Sequence, residues 1–406
     1  MPGILAGLRV VEGSAFVAAP LGGMVLAELG ADVIRFDPIG GGLDHRRWPV
    51  TATGESLFRA GLNQGKRSIA VDIRAPEGQA LLTALITAPG EEAGLFSTNF
   101  PPRGWLSYDA LRARRADLIM LVLTGRRDGG SEVDYTVNPQ LGWPTLTGPA
   151  SHDGPVNHVL PAWDLLAGQT LATAMLAAER HRRRTQAGQL VTLALKDVAI
   201  AATAHLGVLA EVMVNDHDRP RYGNDLYGAF GRDFTTRDGR RVMVVGLTAL
   251  QWSTLVQATG IADAVAALGV RLSLDLSDEG NRFRARDEIA ALLAPWFAAR
   301  DHDEVARALD AARVTWGPYR TVREALRDDA DVSEANPLLR IIDQPGVGRL
   351  LAAGSPLDFG AFARHDARPA PRLGEHTDEI LATILGLSEG EIGRLHDARI
   401  VAGVSS

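Results

Sequence analysis

The chain has 406 residues, 46% of them hydrophobic, with no cysteine and a formal net charge of −7 at pH 7. The length predicts two or three globular domains, and the lack of cysteine excludes disulfides, thiolate metal sites, iron–sulfur clusters and thiol nucleophiles. The excess of acidic residues disfavours nucleic acid or an anionic membrane as a partner. No signal peptide and no bilayer-spanning stretch is apparent, so the sequence predicts a cytoplasmic protein.

The first part of the chain alternates short apolar runs, typical of buried strands, with helical patterns. In chain order we predict a strand at residues 8–12, a helix at 18–29, strands at 32–36 and 68–73, a helix at 77–86, and strands at 93–97 and 118–123. This alternation predicts a parallel sheet covered on both faces. Ligands of such sheets bind beyond the carboxyl ends of the strands.

The rest of the chain begins with a long helical pattern and then changes character. We predict a helix at 164–184, a strand at 189–195 and a helix reaching 214. Next come a strand and turn over 227–230 and 234–239, strands at 241–246 and 314–319, helices through most of 250–312, and a helical hairpin at 379–385 and 389–396. The segment from Gly228 onward therefore predicts a second, smaller α+β domain.

Three glycine-rich segments carry cations suited to an anionic ligand. The segment 61–67, which contains Lys66, is one residue short of a nucleotide-binding P-loop and has Arg67 in place of the hydroxyl that binds magnesium. It still suits a phosphate of another ligand. The segments 40–48, with Arg46 and Arg47, and 125–130, with Arg126 and Arg127, follow predicted strands, and neither has the glycine fingerprint of nicotinamide sites. The alternative for all three is an ordinary solvated loop.

Asp164 stands where the long helix is predicted to begin. One interpretation is a helix N-cap, a role that aspartate fills well. The other is a nucleophile, because an aspartate is ionised at neutral pH and needs no general base to attack an activated acyl group. The ten histidines show no metal-ligand spacing, and Ser14 lacks the second glycine of a nucleophile elbow, which disfavours metal-dependent and serine hydrolysis.

Several further segments occur in a fixed order along nearly the whole chain. They are 29–35, Pro38 with 41–42, 44–47, 65–68, 99–100, Tyr135, Gln140, 147–148, 188–191, Asp197, 236–239 and, most specific, 370–381. Together they resemble the class III CoA-transferases. The runs 11–20 and 125–135 resemble members that act on mesaconyl-CoA in the 3-hydroxypropionate bicycle of carbon fixation.

The resemblance implies an α/β fold in which a Rossmann-like large domain is built from both chain termini and joined to a smaller α+β domain. Each subunit is then an open ring, and two rings interlock as a homodimer. The corresponding divisions are 1–200 for the first part of the large domain, 201–225 for a linker helix, 226–312 for the small domain, 313–330 for a linker and 331–406 for the second part of the large domain.

The resemblance also assigns roles to residues. It places the catalytic aspartate at Asp164, the coenzyme-contacting positions at Arg35, Lys66, Asn99 and Phe100, and an active-site tyrosine at Tyr135. The candidates to hold the substrate's free carboxylate are Arg47, Arg126 and Arg127. No metal and no tightly bound cofactor is expected, since CoA arrives as part of the acyl-CoA substrate.

The expected reaction moves CoA within one substrate, between the two carboxyl groups of mesaconyl-CoA, through an aspartyl anhydride and an aspartyl-CoA thioester. The apolar run 15–17 replaces a residue that is polar or basic in many members, and a glycine-rich flap is not evident, with 222–224 its nearest counterpart. Such a pocket suits a substrate whose dicarboxylic acid stays bound throughout the reaction. The alternatives are transfer to a free acid, a 2-methylacyl-CoA racemase and a non-catalytic CoA-binding protein. The racemase is disfavoured because the segment 134–136 has no histidine.

Overall fold

The structure, a computed structural model, describes residues 3–404. Its strands are β1 (Arg9–Gly13), β2 (Asp32–Asp37), β3 (Arg67–Val71), β4 (Leu95–Thr98), β5 (Ile119–Thr124), β6 (Gln189–Ala194), β7 (Phe230–Thr235), β8 (Arg241–Gly246), β9 (Thr315–Pro318), β10 (Leu339–Gln344), β11 (Gly348–Ala353) and β12 (Val401–Ala402).

The α-helices follow the same chain order. They are α1 (Ala18–Glu28), α2 (Leu57–Leu62), α3 (Pro76–Ile86), α4 (Tyr108–Arg112), α5 (Asp134–Gln140), α6 (Trp143–Leu146), α7 (Ala162–Thr185), α8 (Leu195–His205), α9 (Val208–Asn215), α10 (Ala249–Thr259), α11 (Ala262–Leu272), α12 (Glu279–Arg284), α13 (Arg286–Ala298), α14 (His302–Ala311), α15 (Val322–Asp328), α16 (Thr377–Thr383) and α17 (Glu389–Asp397).

The predicted parallel sheet is present. Within residues 3–404 it has seven strands in the order β12-β3-β2-β1-β4-β5-β6, all parallel except β12, which pairs antiparallel with β3. The order reverses direction between β1 and β4, as in doubly wound sheets, and such a reversal opens a crevice at the carboxyl ends of these two strands. That crevice lies beside Ser14 and Asn99, the residues that follow β1 and β4.

Most predicted bounds agree with the structure to within two residues. The helix reaching 214 is an exception: it is divided into α8 and α9, because Gly207 adopts a left-handed φ of 75° between them. The segment 227–230 is another: it forms a turn, with Gly228 at a left-handed φ of 81°, and strand β7 begins only at Phe230. The hairpin β10–β11 and the two-residue strand β12 are additional to the predictions. Their pattern is too short or too polar to stand out, and long-range pairing decides them.

Helix α7 lies against α1 at unusually close range because both carry glycine at the contact. A Cβ on Gly22 would lie 2.5 Å from Cδ2 of Leu171, and a Cβ on Gly168 would lie 2.8 Å from Cδ2 of Leu21. On the sheet, Phe36 stacks on Phe96 in a core that α3, α16 and α17 help to enclose. This packing fixes the start of α7, where Asp164 lies, relative to β1.

The chain separates into two compact units. One comprises the residues up to Leu141, Val159–Ala210 and those from Asp329 on, and it contains the large sheet; the other comprises Gly142–His158 and Glu211–Asp328. The second unit is built on the antiparallel sheet β7-β8-β9, whose core includes Phe234 stacked on Phe297 with centroids 4.5 Å apart. The interlocked homodimer stays a prediction.

Within the described residues, no single helix has both the length and the apolar character needed to cross a bilayer. Two pairs of consecutive helices, each pair bent at its junction, have the required length and apolar character only when the two helices are combined. They are Leu195–His205 with Val208–Asn215 and Ala249–Thr259 with Ala262–Leu272.

Candidate active site

Asp164 is partly buried in the first turn of α7. The helix begins two residues earlier than predicted, so its N-cap position is Pro161, which has no side-chain cap, and Asp164 is not the cap residue. Its carboxylate therefore does not cap the N-terminus of the helix, and the capping interpretation of this residue is wrong.

The N-terminus of α7 is instead capped from a neighbouring helix. Asp134, the first residue of α5 and 1% exposed, accepts the main-chain N–H groups of Trp163 at 2.8 Å and of Asp164 at 3.2 Å through its Oδ2. One turn further along α5, Oδ1 of Asn138 accepts Nε1–H of Trp163 at 3.2 Å. The two helices are thus joined at the position that presents Asp164.

The environment of Asp164 favours its neutral form. Burial, followed by the nearby negative charge of Asp134, raises the pKa of Asp164 to about 7, and the positive charge of Arg47 opposes this rise. A carboxylate of raised pKa is a stronger nucleophile when ionised than an ordinary aspartate, and perturbed carboxyl groups of this kind cluster at functional sites.

Arg47 is held between two aromatic rings. Its guanidinium carbon lies 5.3 Å from the ring centroid of Phe16 and 4.8 Å from that of Phe58, within the range of cation–π attraction. Cation–π contact leaves the positive charge of the guanidinium in place, so Arg47 can still pair with an anion.

Phe16 lies directly beyond β1, in the crevice between β1 and β4. Its φ of 70° is a left-handed conformation that is rare for an aromatic residue and strained by about 1–2 kcal/mol. The carboxylate of Asp44 holds it there by accepting the N–H of Phe16, at 3.0 Å to Oδ1 and 3.2 Å to Oδ2. Such strain is typical of functional sites, and here it directs the Phe16 ring toward Arg47.

Asn99 and Phe100 lie at the same crevice. The Asn99 amide makes two hydrogen bonds to Ala15, accepting its N–H at 2.9 Å and donating to its carbonyl at 2.8 Å. The loops after β1 and β4 are thereby tied together. Phe100 is half-buried and contacts Phe36 edge to face, with ring centroids 6.1 Å apart. Both residues are where a ligand of this fold is expected.

Arg35 and Lys66, the predicted coenzyme contacts, are both buried, at 2% and 3% exposed. Arg35 donates to Asp37 at 3.0 Å, to Asp44 at 3.2 Å and to Asn63 at 2.9 Å.

Lys66 donates to Glu12 at 2.7 and 3.0 Å and to the carbonyl of Pro20 at 2.8 Å. The hydrogen-bonding groups of both cations are thus engaged inside the protein. The structure gives Arg35 and Lys66 a structural role, and their contact with the coenzyme stays a prediction.

Tyr135, Arg126 and Arg127 are exposed. Tyr135 follows Asp134 in α5 and is 50% exposed, Nη2 of Arg126 pairs with Asp128 at 2.7 Å, and Nε of Arg127 pairs with Asp197 at 3.0 Å. Of the three candidate arginines, Arg47 alone acts on the charge of Asp164. Arg47 is therefore the candidate whose charge reaches Asp164, while Arg126 and Arg127 pair with other aspartates.

Asp134 and Phe58 also shape this site, although neither residue stands out as functional in the sequence. An aspartate at the start of a short helix is a recognisable signal, but its target 30 residues later is not. A cavity of about 510 Å³ also opens beyond the carboxyl ends of β2 and β3, lined by Pro38, Ile39, Gly41, Asp72, Ile73, Arg74 and Arg399. The cavity has the position and size for part of a nucleotide. Its lining includes Arg74, a cation that does not stand out in the sequence.

Comparison with known proteins gives concordant results. The sequence profile described as CoA-transferase family III matches residues 5–377. The chain is 69% identical over 404 residues, 99% of each chain, to 2-methylfumaryl-CoA isomerase of Chloroflexus aurantiacus. It is 27% identical to succinyl-CoA:mesaconate CoA-transferase of Haloarcula hispanica, covering 93% of this chain and 96% of that protein. The crystal structure of a CAIB/BAIF family protein from Brucella suis superimposes with a TM-score of 0.77 at 25% identity, covering 95% of this chain and 100% of that chain.

Proposed function

Because the chain belongs to CoA-transferase family III, we propose that it moves CoA between the two carboxyl groups of 2-methylfumaryl-CoA, also called mesaconyl-CoA, within one bound substrate. The observation that carries the proposal is the 69% identity to a 2-methylfumaryl-CoA isomerase along 99% of both chains. An isomerase keeps every atom of its substrate, and transfer of CoA from one end of a dicarboxylate to the other does so.

The proposed first half-reaction uses Asp164 as the nucleophile. Its ionised carboxylate attacks the thioester carbonyl, and the C–S bond breaks to give a mixed anhydride and the CoA thiolate. The thiolate then attacks the aspartyl carbonyl of the anhydride and releases the dicarboxylate, so that CoA is held as a thioester on Asp164.

The second half-reaction retraces these steps from the other end of the acid. The carboxylate that was free in the substrate attacks the aspartyl thioester, forms a new anhydride and releases the thiolate. Attack of the thiolate on the substrate carbonyl of that anhydride gives the isomeric thioester and restores Asp164. Both intermediates hydrolyse readily, so the site must exclude water during turnover. A dicarboxylate retained beside Asp164 reacts at a high effective concentration.

Arg47 is our candidate to retain that dicarboxylate. Its charge acts on Asp164, and the rings of Phe16 and Phe58 fix its position without neutralising it. A bidentate pair between Arg47 and the substrate's second carboxylate supplies both affinity and orientation.

An isotope experiment separates transfer within one substrate from transfer to a free acid. The enzyme is incubated with unlabelled mesaconyl-CoA and ¹³C-labelled free mesaconate or succinate. We expect the two thioester isomers to equilibrate with no label in the CoA ester pool. Incorporation of label at the rate of isomerisation contradicts the intramolecular proposal and supports the intermolecular alternative, which the similarity to a succinyl-CoA:mesaconate CoA-transferase favours.

A trapping experiment tests the covalent step independently. Borohydride added during turnover reduces an aspartyl thioester to the alcohol, so peptide mass analysis is expected to find the mass of homoserine at position 164. The variant Asp164→Asn is expected to lose transfer activity by at least about a thousandfold. The control is Asp109→Asn, which alters an exposed aspartate in the first turn of α4. Full transfer activity in Asp164→Asn contradicts the proposed role and assigns the nucleophile to another residue. A native chain that binds mesaconyl-CoA without isomerising it is instead the result expected of a binding protein.

A further inference from the structure

A second cavity of the first unit has a lining unlike that of the candidate active site. Its volume is about 440 Å³, and it is enclosed by the segment after β2, the start of α2, the turn between β10 and β11, and residues 371–373 and 402–404. The side chains that matter are His45, Arg46, Glu55, Arg59 and Arg372. Cavities of this size take small molecules.

Arg59 lines this cavity with part of its hydrogen-bonding capacity unused. The side chain is 9% exposed, and its Nη1 donates to the carbonyl of Pro371 at 2.9 Å. Its Nε and Nη2 are buried and have no acceptor among residues 3–404. Buried arginine N–H groups without an acceptor are rare, because each such group loses its hydration with no compensation.

His45 adds a third unused donor beside Arg59. Its Nδ1 accepts the main-chain N–H of Gly42 at 3.1 Å, so the ring proton is on Nε2, which is buried and has no acceptor in the described part of the chain. Burial, together with the positive charge of Arg59, lowers the pKa of His45 to about 4. The imidazole is therefore neutral at neutral pH and keeps this single donor.

The charges around the cavity are predominantly positive. Arg46 and Arg372 are exposed at its edge, and neither has a carboxylate within ion-pair distance among residues 3–404, while Glu55 is the acidic residue of the lining. Asp37 and Asp44 also act on His45 and Arg59, but both carboxylates accept the guanidinium of Arg35, at 3.0 and 3.1 Å for Asp37 and at 3.2 Å for Asp44. Three arginines against one glutamate leave two positive charges, which matches a phosphate dianion better than a single carboxylate.

We propose that this cavity is a binding site for the phosphate group of a small molecule. Arg59 and His45 line the cavity, and their three unused N–H groups, which solvent does not reach in this structure, turn toward the phosphate oxygens when phosphate binds. Arg46 and Arg372 add attraction at the edge. The site is separate from Asp164 and Arg47 and does not depend on the function proposed above. The source of the phosphate is either the coenzyme or an independent phosphorylated metabolite.

Calorimetric titration of the full chain with inorganic phosphate, at constant ionic strength maintained with chloride, tests the site directly. We expect one phosphate bound per chain, with affinity reduced about tenfold by Arg46→Gln or Arg372→Gln and more by Arg59→Lys, which keeps a cation but loses the planar pair of donors. Arg114→Gln, an exposed arginine outside the cavity, is the matched control and is expected to bind phosphate as the native chain does.

Two results overturn the proposal. One is a heat of titration with phosphate that an equal titration with chloride reproduces. The other is an unchanged affinity in the double variant with Arg46→Gln and Arg372→Gln, whose exposed positions leave the interior intact if Arg59→Lys disturbs folding. Competition with CoA and dephospho-CoA identifies the source. Displacement of phosphate by CoA but not by dephospho-CoA assigns the site to the 3′-phosphate of the coenzyme, and displacement by neither assigns it to a separate metabolite.

Discussion

The carboxylate of Asp134 accepts the main-chain N–H of Asp164 at 3.2 Å, so one buried acid holds the turn that presents another. The bond positions Asp164, and the same negative charge disfavours the ionised form of the residue that it positions. The two effects are separable, because the hydrogen bond needs only an acceptor whereas the electrostatic effect needs a charge.

The variant Asp134→Asn separates them. An asparagine oxygen can still accept from the start of α7, but the charge that raises the pKa of Asp164 is gone. We expect the acid limb of kcat/KM to move to lower pH, so that activity at pH 6 rises several-fold relative to activity at pH 8. Asp109→Asn serves as the control. A profile of unchanged shape and lower amplitude would assign Asp134 a purely structural role.

Arg47→Gln is expected to change the pH profile in the opposite direction. The positive charge of Arg47 lowers the pKa of Asp164, so its removal moves the acid limb to higher pH. We also expect kcat/KM for mesaconyl-CoA to fall about 10- to 100-fold, because a charge-assisted pair to the second carboxylate is lost.

Arg126→Gln and Arg127→Gln are the matched comparisons for Arg47. Both arginines are exposed and paired with aspartates away from Asp164, and we expect kcat/KM within about twofold of the native value. A larger loss in either variant than in Arg47→Gln would transfer the carboxylate-holding role to that residue.

The repeating pattern of strands and helices was sufficient to predict the parallel sheet and to place most elements within two residues. It could also single out Asp164, because a carboxylate near a predicted helix start is visible in the sequence. The partners of that residue come from distant parts of the chain: Asp134 lies 30 residues away, and Arg47 lies in the segment that follows β2. The burial of Arg35 and Lys66 likewise depends on Glu12, Asp37 and Asp44, which the fold alone brings together.

Lys66→Met tests whether Lys66 is structural. The change leaves the buried carboxylate of Glu12 without its closest cation, and we expect a loss of about 3–5 kcal/mol in the free energy of unfolding. The double variant Glu12→Gln with Lys66→Met is expected to recover part of this loss. Denaturant titration measures both. A stable Lys66→Met protein with a raised KM for the CoA thioester would instead support the predicted coenzyme contact.

Asp164→Asn is expected to stabilise the protein in a pH-dependent manner. The native pKa of about 7 lies above the value of about 3.9 for an unfolded aspartate, so the folded state binds more protons between these pH values and native stability falls as pH rises through them.

Asparagine has no proton to lose, so the variant gains relative to the native chain from about pH 4 to 7 and keeps a constant advantage above. Allowing for the partial exposure of the site, we expect a gain of about 1–3 kcal/mol at pH 8. Denaturant midpoints at pH 4 and pH 8 measure it. An equal change at both pH values would contradict the raised pKa.

The antiparallel pairing of Val401 with Val71 has a consequence for synthesis on the ribosome. Strand β3 is made some 330 residues before the segment that covers its outer edge, and an uncovered edge strand invites pairing with other chains. The nascent protein therefore exposes an unpaired strand edge while the intervening residues are synthesised, and β12 protects that edge from aggregation only after this delay.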